Sequence, residues 1–129
     1  MSYVVRESLS TCESMIMKVI WDQKKDVTIQ QLVNLIQERY QNHYKRATVV
    51  TFLSRLSGKG FISTYRSGKY SYIHPEKDVE EYKVGLAVRN VDFWFDGKLS
   101  GFLAALSRSQ KFSKEEIRQV RGILNDLDC

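Results

Sequence analysis

Apolar residues cluster at Met15, Ile16, Val19 and Ile20, spacings that place them on one face of a helix. Ser10-Thr-Cys-Glu13 in front of them matches a capping box, with Ser10 as cap and Glu13 at N3. The pattern predicts a first helix ending around Trp21-Asp22, a polar loop over Gln23–Asp26 and a single strand-like residue at Val27. Met1–Leu9 reads as an extended arm. Thr28-Ile-Gln-Gln31 is a second capping box, opening a helix that buries Leu32, Leu35, Ile36 and Tyr40. Gln41–Tyr44 is then a short turn, as between the helices of a helix-turn-helix.

The next stretch, His43–Gly60, organises the chain. Val49, Phe52, Leu53 and Leu56 fall on one side of a helix. At about 100° per residue, Ala47, Val50, Thr51 and Ser54 fall on the other side, with Thr48 and Arg55 on the flank. Lys45 and Arg46 stand at its start and Lys59 at its end, and these three, with Arg66 and Lys69 further on, are expected to contact phosphates; Gly58 and Gly60 stop the helix. There is no Asp or Glu from Gln41 to Ile62. A face this small, hydroxylated and basic suits a DNA major groove, where small residues permit close approach and Thr, Ser and Arg reach phosphates or base edges.

From Phe61 the period changes to two. Phe61–His74 reads as a hairpin turning at Ser67-Gly68, with Arg66 and Lys69 flanking a basic tip. Three helices followed by a basic-tipped hairpin is the winged-helix order. Pro75 is expected to end the second strand and to open a helix with an acidic first turn. The run Val84, Leu86, Val88, Val91, Phe93, Trp94 and Phe95 is apolar on more than one side, and Asp96-Gly97 breaks it. A further helix carries Phe102, Leu103 and Leu106. Ser113-Lys-Glu-Glu116, a third capping box, opens a last helix with Ile117, Val120, Leu124 and Leu127 in a stripe. A tail of about 55 residues is too small to bury this surface alone. The expected partner is the same tail of a second copy; the alternatives are a tail folded back on the first part, or an aromatic ligand pocket.

The expected fold is therefore mostly helical with a small β-hairpin: a winged helix-turn-helix DNA-binding domain over residues 1–74 and a helical dimerisation domain over 75–129. Charge sharpens this division. Of the 129 residues, Met1–His74 holds eleven Lys/Arg against five Asp/Glu, and Pro75–Cys129 nine against ten. The whole net charge of +5 thus belongs to the first part, the part expected to meet a polyanion. No apolar run approaches the ~18 residues needed to span a bilayer, and the N-terminus has no signal pattern, so a cytoplasmic protein without membrane contact is expected. Cys12 and Cys129 form no motif, and neither a disulfide between them nor a cofactor is expected. No His/Cys cluster has metal-ligand spacing. His43 reads as a turn residue or phosphate contact and His74 as a strand end. Glu80-Glu81 and Glu115-Glu116 are adjacent, so they point different ways as solvated first-turn charges. An enzyme is not expected. The competing reading is a winged-helix module for protein–protein contact without sequence-specific DNA binding.

Three sets of residues carry a family resemblance over Ser8–Leu127. The first is Leu9-Ser10, Glu13, Met15, Met17-Lys18 and Ile20-Trp21. The second is Thr48-Val-x-Thr51-x-Leu-x-Arg55-Leu56-x-x-Lys59-Gly60-Phe61-Ile62. The third is Phe95-Asp-Gly97 with Phe112-Ser-x-Glu-Glu-Ile-x-x-Val-Arg-x-Ile-Leu124. In this order they resemble the penicillinase-repressor family, the BlaI/MecI/CopY type of transcriptional repressor. The resemblance implies a homodimeric winged-helix repressor on a pseudo-palindromic double-stranded operator built on TACA and TGTA half-sites. It puts Thr48, Val50, Thr51 and Arg55 where the family contacts DNA, and Arg66 and Lys69 in the wing. It also implies a regulatory protease or a small-molecule inducer as a further partner. The chain departs from the family pattern in four places. Tyr44-Lys-Arg-Ala-Thr48 stands where Trp-Ser-Pro-Lys-Thr is common, which removes the Ser cap and puts Ala47 in place of a DNA-touching Lys. Val50 replaces a frequent Arg or Gln and offers only apolar contact, for instance to a thymine methyl. Ala105-Leu106 replaces a cleaved Asn-Phe pair, and the Cys-x-Cys motifs of the copper branch are missing.

Overall fold

The computed structural model describes residues 8–128. The expected arm, apart from Ser8 and Leu9, lies outside the described residues, as does Cys129. The first helix, α1 (Thr11–Asp22), starts at the expected box: Ser10 Oγ accepts the Glu13 N–H and Glu13 Oε1 accepts the Ser10 N–H. Thr28 and Gln31 repeat the arrangement at the head of α2 (Ile29–Tyr40). Between them lies β1 (Val27–Thr28), a strand of two residues. At the end of α2, Gln41 takes the left-handed conformation, φ 54°, and returns its N–H to Gln37 O. The cost to a non-glycine residue is about 1 kcal/mol, and the result is the sharp turn into α3 (Arg46–Gly58). Thus α3 begins with Lys45 as its N-cap and Arg46 as its first residue, the two residues expected at its start.

Gly60, at φ +81°, turns the chain from α3 into β2 (Ile62–Ser67). The hairpin closes with β3 (Tyr70–Pro75). Both strands are antiparallel, and β1 adds to the far side of β3, giving the order β1-β3-β2. The register pairs Ser67 with Tyr70 at the tip and Ile62 with Pro75 at the base. Pro75 therefore ends a strand and does not open a helix. Phe61 O takes the N–H of Glu76 at 2.8 Å, which carries the chain past the proline. Asp78 then caps α4 (Val79–Phe95), accepting the Glu81 N–H on its side chain.

One core joins these elements. Ile16, Met17, Val19 and Ile20 of α1, Leu32 and Ile36 of α2, Val49, Leu53 and Leu56 of α3, Phe61 just before β2, and Ile62 and Ile73 of the sheet are all buried. Trp21 seals it beside Phe61 and Tyr82, its indole N–H donating to Lys77 O at 2.9 Å. This is a winged helix-turn-helix architecture, and Tyr82 brings the first turns of α4 into it. Division by packing falls inside α4: one compact unit runs to Ala87 and a second begins at Val88.

The second unit holds the end of α4, then α5 (Leu99–Ser109) and α6 (Lys114–Leu127). Asp96 and Gly97 both take positive φ and separate α4 from α5. Ser113 Oγ accepts the Glu116 N–H at the head of α6. No described helix is long and apolar enough to cross a membrane.

Candidate nucleic-acid interface

The inner side of α3 is fixed by burial of Val49, Leu53 and Leu56. Phe52, half-buried, packs on Tyr44 with ring centroids 5.8 Å apart. Tyr44 is held in turn by Cys12 Sγ, 3.3 Å from its hydroxyl. These contacts clamp both faces of the turn before α3 and set its orientation.

The outer side is open. Lys45, Arg46, Ala47, Thr48, Val50, Thr51, Ser54 and Arg55 are all exposed. Thr51 Oγ1 donates to Ala47 O at 3.0 Å, which commits the hydroxyl proton to the helix and leaves the oxygen as an acceptor beside the methyl group. The Arg55 guanidinium stands 5.6 Å from the centre of the Phe52 ring, which directs it along the flank. Arg46 Nη1 donates to Gln30 Oε1 at 3.3 Å, a link to α2.

Lys59 is placed differently. Its ammonium donates to Glu13 Oε1 at 2.7 Å and to Ser8 O at 3.1 Å. Glu13 is 2% exposed. Burial pushes its carboxyl up, but the Lys59 hydrogen bond, the Ser10 N–H and hydroxyl, and the ammonium's charge outweigh that and hold it below its ordinary value. The pair staples the end of α3 to the start of α1.

The wing brings a second set of cations. Gly68, at φ +64°, makes the tip. The turn is Gly68-Lys69, one residue on from the expected Ser67-Gly68, because Ser67 still pairs with Tyr70; Lys69 thus lies in the turn and Arg66 ahead of it, both exposed, and the Lys69 ammonium stands 5.4 Å from the centre of the Tyr70 ring. At the base of the wing, Asp26 accepts from Tyr65 Oη at 2.7 Å and bonds His74 Nδ1 at 2.9 Å. These bonds hold the Asp26 carboxyl below its usual range and push Tyr65 and His74 up. His74 is thus bonded to a carboxylate and is not a bare strand end. His43 is exposed in the turn, beside an open polar groove with Asn34, Gln37, Glu38 and Gln41.

A model of one family, the penicillinase repressor, matches residues 9–126. The chain belongs to the penicillinase-repressor family. It is similar to the solution structure of the DNA-binding domain of the repressor BlaI, at 23% identity and a TM-score of 0.51, over 64% of this chain and 94% of that one. It is also similar to monomeric Bacillus licheniformis BlaI in complex with the blaP half-operator, at 23% identity and 0.50, with the same coverage. At this identity the likeness is one of fold. A search among curated proteins returned no match.

Within this penicillinase-repressor chain, Lys45 occupies the N-cap of α3 and makes no side-chain cap bond, as expected once Ser and Pro are lost there. The residues proposed for pairing with a second copy are open in the single chain. Phe93 and Trp94 are 75% and 70% exposed, their rings meeting edge to face at 4.8 Å. Leu86, Leu106 and Ile117 are exposed, and Phe95, Phe102, Leu103, Val120 and Leu124 are half-buried. Phe95 packs edge to face on Phe102. Neither α5 nor α6 has a fully buried residue.

Three features escape a reading of the sequence: the Glu13–Lys59 staple, the Asp26 cluster and the Arg46–Gln30 link. Only the first has a sequence signal, because Glu13 lies three and four residues before Ile16 and Met17 and so shares their inward stripe.

Proposed function

We propose that the chain is a transcriptional repressor that binds a pseudo-palindromic operator as a homodimer. The observation that carries this reading is the fully open outer face of α3 beside a basic wing tip, on a fold that matches an operator-binding relative. Family membership supports it. The mechanism needs no catalysis, and the chain is not an enzyme on this reading. Two copies of α3 enter successive major grooves, one helical turn of about 10 base pairs apart. Thr48, Val50, Thr51 and Arg55 read bases; Lys45, Arg46, Arg66 and Lys69 neutralise phosphates. Lys59 leaves the set of DNA contacts because its ammonium is committed to Glu13. Val50 and the Thr51 methyl group favour thymine methyls, in keeping with TACA and TGTA half-sites. The open aromatic and aliphatic surface of the second unit is the dimerisation surface, since apolar patches of this kind mark interaction sites. Occupying a promoter then blocks polymerase.

The test is binding to a duplex carrying a TACA–TGTA pseudo-palindrome, against a scrambled duplex, across a salt series with stoichiometry measured. Tight, salt-sensitive binding to the palindrome alone at two chains per duplex is the expected result. Equal salt-sensitive binding to both duplexes means a different operator. No binding at low salt refutes the DNA reading and favours the protein-contact module.

A further inference from the structure

We propose that Asp26 is the positioning residue of the wing, fixing through Tyr65 and His74 where Arg66 and Lys69 meet the DNA backbone. This rests on the DNA-binding reading above and names a residue that makes no contact with DNA itself.

The wing has little else to hold it. From Thr64 to Tyr70 every residue is exposed, so no core lies under this part of the ribbon. An isolated two-stranded ribbon is marginally stable in water. Its attachment is therefore made at its base, and β1 contributes only two paired residues there, Val27 to Ile73 and Thr28 to Tyr72. Asp26 immediately precedes β1. Its two carboxylate oxygens divide between the strands: Oδ2 takes the Tyr65 hydroxyl of β2 at 2.7 Å, and Oδ1 takes His74 Nδ1 of β3 at 2.9 Å. The side chain thus grips both strands from outside the ribbon.

Two further contacts make the grip stiff. Tyr65 and Tyr72 stack across the strands at 5.6 Å with planes 16° apart, so β2 and β3 move together. Ser63 Oγ is bonded to Glu76 Oε2 at 2.6 Å, which fixes the lower end of β2. Arg66 directly follows Tyr65, about 3.3 Å further along the strand. A charge-assisted hydrogen bond to phosphate has a range of only about 2.7–2.9 Å. A small tilt at Asp26 therefore carries the tip cations out of register with the backbone.

The experiment is a double-mutant cycle with Asp26→Ala, the Arg66→Ala/Lys69→Ala pair and their combination. Each is titrated with duplex across a salt series, with thermal midpoints recorded in parallel. Loss of two phosphate contacts flattens the slope of log affinity against log salt by about 2 per protomer. Between about 50 and 200 mM salt, that slope change amounts to about a ten-fold smaller fall in affinity. Asp26→Ala is expected to flatten the slope by about 1–2 in the parent and to have no further effect once Arg66 and Lys69 are gone. Tyr65→Phe, which keeps the ring stack and loses one bond, gives a smaller shift in the same direction and serves if Asp26→Ala does not fold. An unchanged slope in Asp26→Ala, or in Tyr65→Phe where that variant serves, overturns the proposal, as does an equal loss of affinity in both backgrounds. If the parent chain binds no duplex at all, the DNA reading falls and takes this proposal with it. If the parent binds and loses slope with Arg66 and Lys69 but not with Asp26, the proposal alone falls.

Discussion

Replacing Lys59 by methionine keeps the length and apolar stem of the side chain and removes only its ammonium. What remains is a carboxylate that is 2% exposed, with the Ser10 N–H as its other close donor. Breaking a buried ion pair from one side costs about 3–5 kcal/mol. The Lys59 side chain is 31% exposed, so water screens part of the interaction and the low end, about 3 kcal/mol, applies. For a unit of this size that lowers the thermal midpoint by roughly 15 °C. Glu13→Gln removes the buried charge, and in that background Lys59→Met is expected to cost under about 1 kcal/mol.

The pH dependence has a definite sign. The Glu13 carboxyl lies below its ordinary 4.5 when folded. Its contribution is therefore full above that value and lost as the pH falls through the lowered one. The gap between parent and Lys59→Met should narrow on acidification below 4.5. Urea denaturation at neutral and acidic pH measures all of this. A Lys59→Met variant within about 1 kcal/mol of the parent at neutral pH refutes the staple. So does a variant that instead flattens the salt dependence of DNA binding by about 1, the behaviour of a phosphate contact.

Arg55→Ala is expected to cost about 1–3 kcal/mol of binding to the preferred duplex and much less on a scrambled one, with an unchanged thermal midpoint; equal loss on both would make Arg55 a phosphate contact. Serine at both Phe93 and Trp94 is expected to leave folding intact and to turn dimers into monomers by sedimentation equilibrium, and a persisting dimer would refute their role. His74 lies above its ordinary 6.5 because of its bond to Asp26. The parent should therefore be more stable than His74→Gln below pH 6.5, with the advantage fading as pH rises through the raised value; urea midpoints across that range test it, and a gap that widens with pH refutes the pairing.

Much of the first unit was legible because its signals are local. The boxes at Ser10 and Thr28 fix helix starts within four residues of chain, and the stripe Val49, Leu53, Leu56 separates the two sides of α3 by periodicity alone. The turn before α3 was legible in place but not in conformation: a left-handed Gln41 has no glycine to announce it. Pro75 ends its strand as read, but the helix expected to open there begins only at Val79, because the carbonyl of Phe61 holds the chain extended past the proline through Glu76. The Asp26 cluster was invisible for a different reason. Its bonds span 39 and 48 residues, and nothing in the local pattern of any of the three residues points to the others.

The two sides of α3 also separate two kinds of inheritance. Val49, Leu53 and Leu56 are bound by packing, and a change in any of them is felt by the fold. Ala47, Thr48, Val50 and Ser54 lie outside that packing, and exposed positions of this sort tolerate substitution within about 0.5 kcal/mol. On the proposed reading, a library randomised at these four positions samples DNA preference at the base-reading Thr48 and Val50, and the close approach that Ala47 and Ser54 permit, while the scaffold stays intact.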